Sequence, residues 1–229
     1  MVVGHGMLAK VFAEFREGDG VLIYAAGVSN SLETDPNVFA REKTLLLAAR
    51  EEHRDKLLVY FGTCSVEDLD RCTTPYVAHK LEMEAVLERA DAPWMILRLP
   101  LAIGPGQSGR TLAPFLHERI SRGEAFEVWE RAARYPIDVV DVLRIARRLI
   151  DTRALWNRKI NVALRAFPVT EFVRVMEDIV GRRARCTPVP RGQHYAIDCP
   201  EVAALAQELD LDFSDRYLDR VLRKYFAGQ

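Results

Sequence analysis

Two side chains with complementary proton chemistry, Tyr76 and Lys80, stand four residues apart in a segment with helical spacing. That spacing places both side chains on one face of a helix. A lysine ammonium beside a phenol favours the phenolate and lowers the tyrosine pKa toward neutral pH. Thr63 follows a predicted buried strand, where its hydroxyl can hydrogen-bond a substrate oxygen. We predict that Thr63, Tyr76 and Lys80 move a proton during hydride transfer; the alternative is a surface pair, because Y-x-x-x-K often arises by chance.

A glycine turn near the N-terminus offers a site for an anion. The segment 4–9, with the sequence GHGMLA, fits the pattern G-x-G-x-x-G/A between a predicted strand and a predicted helix. Such a turn lets backbone N–H groups approach a pyrophosphate at the positive end of the helix dipole. We expect Gly4, Gly6, Met7 and Leu8 to contact a dinucleotide. The alternative is a tight turn that binds nothing.

The elements around these motifs alternate between strand and helix. Apolar runs at 21–27, 56–61 and 94–99 predict buried strands, and segments 39–52 and 76–90 have helical spacing. This order predicts an α/β protein with a parallel sheet. We expect a Rossmann-like dinucleotide-binding core at 1–103 and a mainly helical substrate lobe at 104–229, part of which returns to the core sheet.

Composition excludes several classes of function. The chain has 229 residues, is 49% hydrophobic and has a formal net charge of -1, so it can bury a sizeable core. It has no long basic run to bind a nucleic acid or an anionic membrane. No apolar run approaches the ~20 residues that span a bilayer, so we expect a cytoplasmic protein. Its four cysteines form no CxxC pair, and we expect them to be reduced and to bind no metal.

The motifs follow the order of a known family. The chain resembles the extended short-chain dehydrogenases, the family of nucleotide-sugar epimerases, dehydratases and reductases. The resemblance covers most of the chain and rests on the glycine turn, VLIYAAG at 21–27, LVYFGTCSV at 58–66, Y-x-x-x-K, LRLPLAIGPG at 97–106 and RYPIDVVD at 134–141. It implies a Rossmann fold and an NAD(P)-dependent oxidoreductase or epimerase in polysaccharide biosynthesis, with Tyr76 as acid and base.

The resemblance also implies the residues that contact ligands. Lys80 would tune Tyr76 and hold the nicotinamide ribose of NAD or NADP, and Thr63 would orient the reacting oxygen. The remaining cofactor contacts would be Ala25, Ala26, Gly27 and Pro100. A nucleotide sugar would contact Ser29, Asn30, Ser65, Arg110 and Arg134, although serine and asparagine also form ordinary turns and most arginines are solvated. The family's pairing mode predicts a homodimer through helices 39–52 and 76–90.

The chain departs from the family in its N-terminal half. After the first helix it runs directly into a strand that resembles the family's fourth, so two strands are missing. No acidic residue ends a second strand about 20 residues after the glycines, where a Rossmann site binds the adenosine ribose. The short interval between Thr63 and Tyr76 predicts a more open site, and helical phase predicts His79 on the surface. A second hypothesis is therefore a non-catalytic relative that binds a nucleotide or a protein.

Overall fold

The computed structural model describes residues 1–68, 70, 72–107, 109 and 111–228. The strands are β1 (Val2–Val3), β2 (Val21–Tyr24), β3 (Leu57–Thr63), β4 (Trp94–Leu99), β5 (Leu101–Ile103), β6 (Phe126–Trp129), β7 (Ala133–Arg134), β8 (Pro136–Asp138), β9 (Arg158–Asn161), β10 (Phe167–Pro168) and β11 (Cys186–Val189). The α-helices are α1 (Met7–Val11), α2 (Pro36–Glu52), α3 (Pro75–Glu88), α4 (Leu112–Arg122), α5 (Val139–Asp151), α6 (Val169–Val180), α7 (Pro200–Glu208) and α8 (Tyr217–Phe226).

A parallel sheet of five strands forms the centre of the fold. Its order is β1-β2-β3-β4-β9, and each neighbouring pair is parallel. The α/β class and the parallel Rossmann-like sheet predicted from the sequence are confirmed. The direct step from α1 into β2 is also confirmed, because β1 pairs with β2 and lies at the edge of the sheet.

Both faces of the sheet are covered by helices, which explains why its strands are nearly continuous apolar runs. All seven residues of β3 are buried. Leu58 and Tyr60 face a cluster that includes side chains of α2 and α3. Val59 and Phe61 face the opposite cluster, to which α1, α5 and α7 contribute. The period of two along β3 therefore separates the two helical layers.

The strand–helix–strand connections of the central sheet differ in handedness. The connections through α1, α2, α3 and α5 all advance in the same direction across the sheet. The helices α2 and α3 pack on one face, whereas α1 and α5 pack on the other. Two of the four connections therefore have the opposite hand to the other two. Because about 98% of such crossovers are right-handed, one pair has the rare hand.

The second half of the chain contributes to both the sheet and a separate core. Strand β9 pairs with β4, and α5 and α7 cover the sheet. Helices α4, α6 and α8 build a second apolar cluster. Tyr217 of α8 connects it to α5: its hydroxyl donates to Asp141 Oδ2 and accepts from the Asp138 N–H, each at 2.9 Å. The division of the chain near residue 103 stays a prediction.

No helix in the described part of the chain is long and apolar enough to cross a membrane.

Candidate functional site

The predicted catalytic residues lie on β3 and on the helix that follows it, α3. Thr63 is the last residue of β3. Helix α3 starts with Pro75, and the Thr74 side chain caps it by accepting the Val77 N–H at 3.3 Å. The cap fixes the helical phase that turns Tyr76 and Lys80 toward the protein interior. Tyr76 is 7% exposed and Lys80 is 2% exposed.

The site is closed, contrary to the open site expected from the short interval between Thr63 and Tyr76. Thr63 is only 6% exposed. Segment 190–199 packs over this region: Gln193 Nε2 lies 3.4 Å from Asp68 Oδ1, and Ile197 packs in one cluster with Cys64. The prediction was wrong because it considered only the length of the loop and not the later segment that covers it.

Lys80 is held by two polar groups. Its ammonium donates to Glu42 Oε1 at 3.1 Å and to the Tyr60 hydroxyl at 3.0 Å. The Nζ atom also lies 5.9 Å from the centroid of the Tyr76 ring. Burial lowers the pKa of Lys80, while the Glu42 carboxylate acts in the opposite direction. Lys80 is thus a buried cation that has its own counter-ion.

Glu42 of α2 belongs to the candidate site and was not predicted from the sequence. Its carboxylate accepts from the Val28 N–H at 2.6 Å, from the Tyr60 hydroxyl at 2.6 Å and from Lys80, and it lies 3.0 Å from His79 Nε2. Burial alone would raise the pKa of Glu42, but these hydrogen bonds and the Lys80 charge lower it to about 2. Glu42 is therefore ionised at neutral pH.

His79 and Tyr60 complete this network. The expected surface position of His79 was wrong: the residue is 5% exposed, and its ring stacks on Phe39 with centroids 4.5 Å apart. Because Glu42 is ionised, it requires a proton on His79 Nε2. Burial raises the pKa of Tyr60 well above its ordinary value, so Tyr60 stays neutral and donates to Glu42.

Two signals in the sequence could have pointed to the network. A tyrosine in a fully buried strand needs a partner for its hydroxyl, and Tyr60 lies in the middle of β3. A histidine directly beside Lys80 also needs a partner if the helix is buried on more than one side. Neither signal identifies Glu42, since that carboxylate comes from another helix.

The glycine turn joins β1 to the end of β2. Gly4 has a φ of +122°, and a Cβ there would lie 2.5 Å from the Ala25 carbonyl oxygen, so only glycine fits. Gly6 precedes α1 as its N-cap residue, and a Cβ at Gly6 would meet no atom within 4 Å. The backbone at Gly6 is therefore accessible, as the predicted contact with a pyrophosphate requires.

The other predicted cofactor contacts surround this turn. Ala25, Ala26 and Gly27 follow β2 directly and are half-buried. A Cβ at Gly27 would lie 2.8 Å from Lys80 Nζ, so the strand end lies against the ammonium. Met7 and Leu8 begin α1, and the Met7 sulfur would lie 2.8 Å from a Cβ at Gly104 in the GPG turn. Pro100 is half-buried between β4 and β5.

The predicted substrate contacts fall in different places. Ser29 and Asn30 line a cavity of about 250 Å³ beside Gly27 and Glu42. Ser65 is half-buried in the turn after β3, where its N–H donates to Thr63 Oγ1 at 3.1 Å. Arg134 lies in β7, and its guanidinium donates to the adjacent Ala133 carbonyl at 2.7 Å. Arg110 lies outside the described residues.

A larger cavity of about 590 Å³ lies at the opposite end of β4. Its lining includes Pro93, Trp94 and Asn157, at the strand ends remote from Thr63. In open α/β sheets, ligands bind at the carboxyl ends of the strands. This cavity therefore has no part in the candidate site.

No protein-family model and no curated protein matches the sequence. Solved structures match it over most of its length. UDP-glucose 4-epimerase of Thermus thermophilus, in complex with NAD, is 18% identical with a TM-score of 0.70, and the match covers 96% of this chain and 82% of that chain.

Two further structures match equally well. An epimerase of Methanothermobacter thermautotrophicus is 17% identical with a TM-score of 0.71, over 95% of this chain and 76% of that chain. The dTDP-glucose 4,6-dehydratase of Bacillus anthracis, in complex with NAD, is 16% identical with a TM-score of 0.68, over 95% and 77%. The chain thus has the Rossmann-type fold of the nucleotide-sugar epimerases and dehydratases.

Proposed function

We propose that this protein is an NAD(P)-dependent oxidoreductase or epimerase that acts on a nucleotide-linked sugar. The observation that supports the proposal is the position of Lys80 Nζ, 5.9 Å from the centroid of the Tyr76 ring, on the helix that follows the Thr63 end of β3 in a Rossmann-type sheet. The solved structures with this fold include complexes with NAD and with UDP-glucose, which supports the choice of ligands.

Each residue of the set has a role that its contacts support. Thr63 Oγ1 accepts a backbone N–H, so its own proton is available to an oxygen of the sugar. Tyr76 would exchange a proton with the reacting sugar hydroxyl, and Lys80 Nζ lies 5.9 Å from the centroid of its ring. A bound nicotinamide would supply the hydride acceptor or donor. Gly4, Gly6 and the start of α1 would hold its pyrophosphate.

A binding titration tests the cofactor. Purified protein is titrated with NADH and with NADPH, and nucleotide fluorescence gives the Kd. We expect micromolar binding that Gly6→Asp abolishes, because a carboxylate would enter the open space in front of α1. Gly18→Asp is the matched control, since Gly18 is also exposed, lies outside the glycine turn, and a Cβ there would make only an ordinary contact, 3.8 Å from the Phe15 carbonyl oxygen. Failure of the wild type to bind either nucleotide would refute the proposal.

An activity screen then tests the chemistry. UDP-linked and dTDP-linked sugars are incubated with the protein and cofactor, and products are separated by chromatography. We expect turnover that falls at least about 100-fold in Tyr76→Phe, which lacks only the hydroxyl. Turnover at the wild-type rate in that variant would exclude Tyr76 as acid and base.

A non-catalytic nucleotide-binding relative is the second candidate. The observation in its favour is that Thr63, Tyr76 and Lys80 are all nearly inaccessible, with Lys80 already paired to Glu42. Binding of NADH without conversion of any sugar nucleotide would favour this candidate.

We also propose that the protein forms a homodimer through α2 and α3. Leu45 and Leu47 of α2 and Leu81 of α3 are large apolar side chains at least 39% exposed on these helices. Light scattering after size-exclusion chromatography tests this: we expect a dimer, and a monomer for Leu47→Glu combined with Leu81→Glu. A wild-type monomer would reject the dimer and leave the proposed chemistry unaffected.

A further inference from the structure

Glu42 joins three parts of the candidate site. Through Oε2 it accepts the N–H of Val28, which directly precedes Ser29 and Asn30 in the loop after β2. Through Oε1 it accepts from Tyr60 in the middle of β3 and from Lys80 on α3. One carboxylate from α2 thus fixes a loop, a strand and a helix relative to one another.

The hydrogen bonds of Glu42 leave it no capacity for proton transfer. An ionised carboxylate offers about four lone-pair positions. Val28 and His79 use those of Oε2, and Tyr60 and Lys80 use those of Oε1. Its side chain is 1% exposed. Glu42 therefore has no free acceptor position for a substrate hydroxyl, and it can act only through the groups that it holds.

Lys80, in contrast, retains one donor. An ammonium has three N–H groups, and Glu42 and Tyr60 accept two of them. Within the described ranges Lys80 has no further hydrogen-bond partner. Gly27 at the end of β2 leaves room for Nζ, because a Cβ there would approach it to 2.8 Å. The third N–H is therefore available beside the strand end where the cofactor contacts are predicted.

We propose that Glu42 is the positioning residue for Lys80: it holds the ammonium between β2 and β3 so that one N–H remains for the bound nicotinamide nucleotide. This inference rests on the proposed function. It assigns no bond-making step to Glu42, and it makes α2 part of the site although α2 carries none of the motifs.

A double-mutant cycle on nucleotide binding tests the inference. The Kd for NADH is measured for the wild type, Glu42→Gln, Lys80→Met and the double variant. We expect Glu42→Gln to weaken binding at least 10-fold when Lys80 is present and less than 2-fold when residue 80 is methionine. A residue with a merely structural role would weaken binding equally in both backgrounds.

Glu84→Gln is the matched control. Glu84 is an equally buried carboxylate of α3, paired with Arg98 at 2.6 Å, and it makes no hydrogen bond to Lys80 among the described residues. We expect a change in Kd of less than 3-fold. An equal loss of binding in Glu84→Gln would overturn the inference, because it would reduce Glu42 to one of several buried charges that maintain the fold.

Tyr60→Phe keeps the experiment decisive if Glu42→Gln does not fold. It removes one of the two acceptors of Lys80 and leaves the carboxylate in place. We expect NADH binding to weaken about 3-fold with Lys80 and to remain unchanged with methionine at position 80. An unchanged Kd in Tyr60→Phe, beside normal wild-type binding, overturns the inference alone. A wild type that binds neither NADH nor NADPH overturns the proposed function and this inference together.

Discussion

The two ends of the candidate site are built in very different ways. Around α3, buried polar side chains interlock through hydrogen bonds, and the Glu42 carboxylate accepts four of them. Around α1, the strand has two residues, the helix has five, and no side chain caps the helix. The difference teaches that the position of Lys80 is determined by side-chain hydrogen bonds, whereas the glycine turn depends on the backbone alone.

The same contrast shows which part of the candidate site is affected by the absence of further strands beyond β1. The two strands that the family would place beyond β1 carry the contact to the adenosine ribose, and β1 is the sheet edge in this structure. The carboxyl ends of β2 and β3, where Tyr76 and Lys80 lie, are in the interior of the sheet and keep both neighbours. The edge position of β1 therefore concerns only the end of the candidate site that holds the glycine turn.

The largest expected effect is the loss of unfolding free energy when Lys80 is removed from the buried network. Lys80→Met leaves the Glu42 carboxylate buried without its cation, which costs about 3–5 kcal/mol of unfolding free energy. Urea denaturation followed by circular dichroism measures it. The control is the exposed pair of Lys43 and Glu82, 2.6 Å apart with side chains 44% and 51% exposed. There Glu82→Gln should cost at most about 1 kcal/mol. Equal losses in the two variants would contradict the contrast.

The pH dependence of the unfolding free energy tests how much the Glu42 charge stabilises the buried network. The pKa of Glu42 is about 2 in the folded protein, against an ordinary value of 4.5. Glu42 therefore contributes stability that is fully present above pH ~5 and is lost as the pH falls toward 2, with a size of about 3 kcal/mol. We expect the difference in unfolding free energy between the wild type and Glu42→Gln to shrink over that range. A difference independent of pH would show that the carboxylate charge does not stabilise the fold.

The glycine turn gives a smaller effect that depends on backbone geometry. Gly4→Ala places a methyl group 2.5 Å from the Ala25 carbonyl oxygen at a positive φ, and we expect a loss of about 1–3 kcal/mol. Gly6→Ala adds a methyl group to open space and should cost less than about 1 kcal/mol. Thermal unfolding gives the melting temperatures of the two variants. Equal melting temperatures would argue against the close approach of Gly4 to the Ala25 carbonyl.

The smallest expected effect is the discrimination between NADH and NADPH. No acidic side chain of the described residues stands at the end of a second strand beside the glycine turn to accept the ribose hydroxyl, because the chain passes from α1 into β2. We expect the two Kd values to agree within about 3-fold, which is below 1 kcal/mol. A preference above 10-fold would reveal an adenosine contact from elsewhere in the chain.

The sequence predicted what depends on local patterns. Helices α2 and α3 were predicted within three residues of their observed bounds, because their apolar spacing is strong. The paired strands β5 to β8, β10 and β11 were missed, since runs of two to four residues carry no period. Helix α8, which carries Tyr217, was also missed.

What the sequence could not predict depends on contacts between distant segments. Glu42 and Lys80 are separated by 38 positions, and nothing in the composition of α2 distinguishes Glu42 from the exposed Glu51 and Glu52. His79 was assigned to the surface because a helical period assumes a single buried face. Helix α3 contacts both the sheet and α2, so its buried arc is wider than one face.

The short edge of the sheet has a consequence for how the protein behaves at high concentration. An exposed strand edge can recruit the strand of another molecule and begin aggregation. Here β1 offers only two residues for such pairing, and the other edge, β9, carries the exposed cations Arg158 and Lys159. The two-residue length of β1 limits pairing at one edge of the sheet, and the charged side chains of β9 disfavour it at the other.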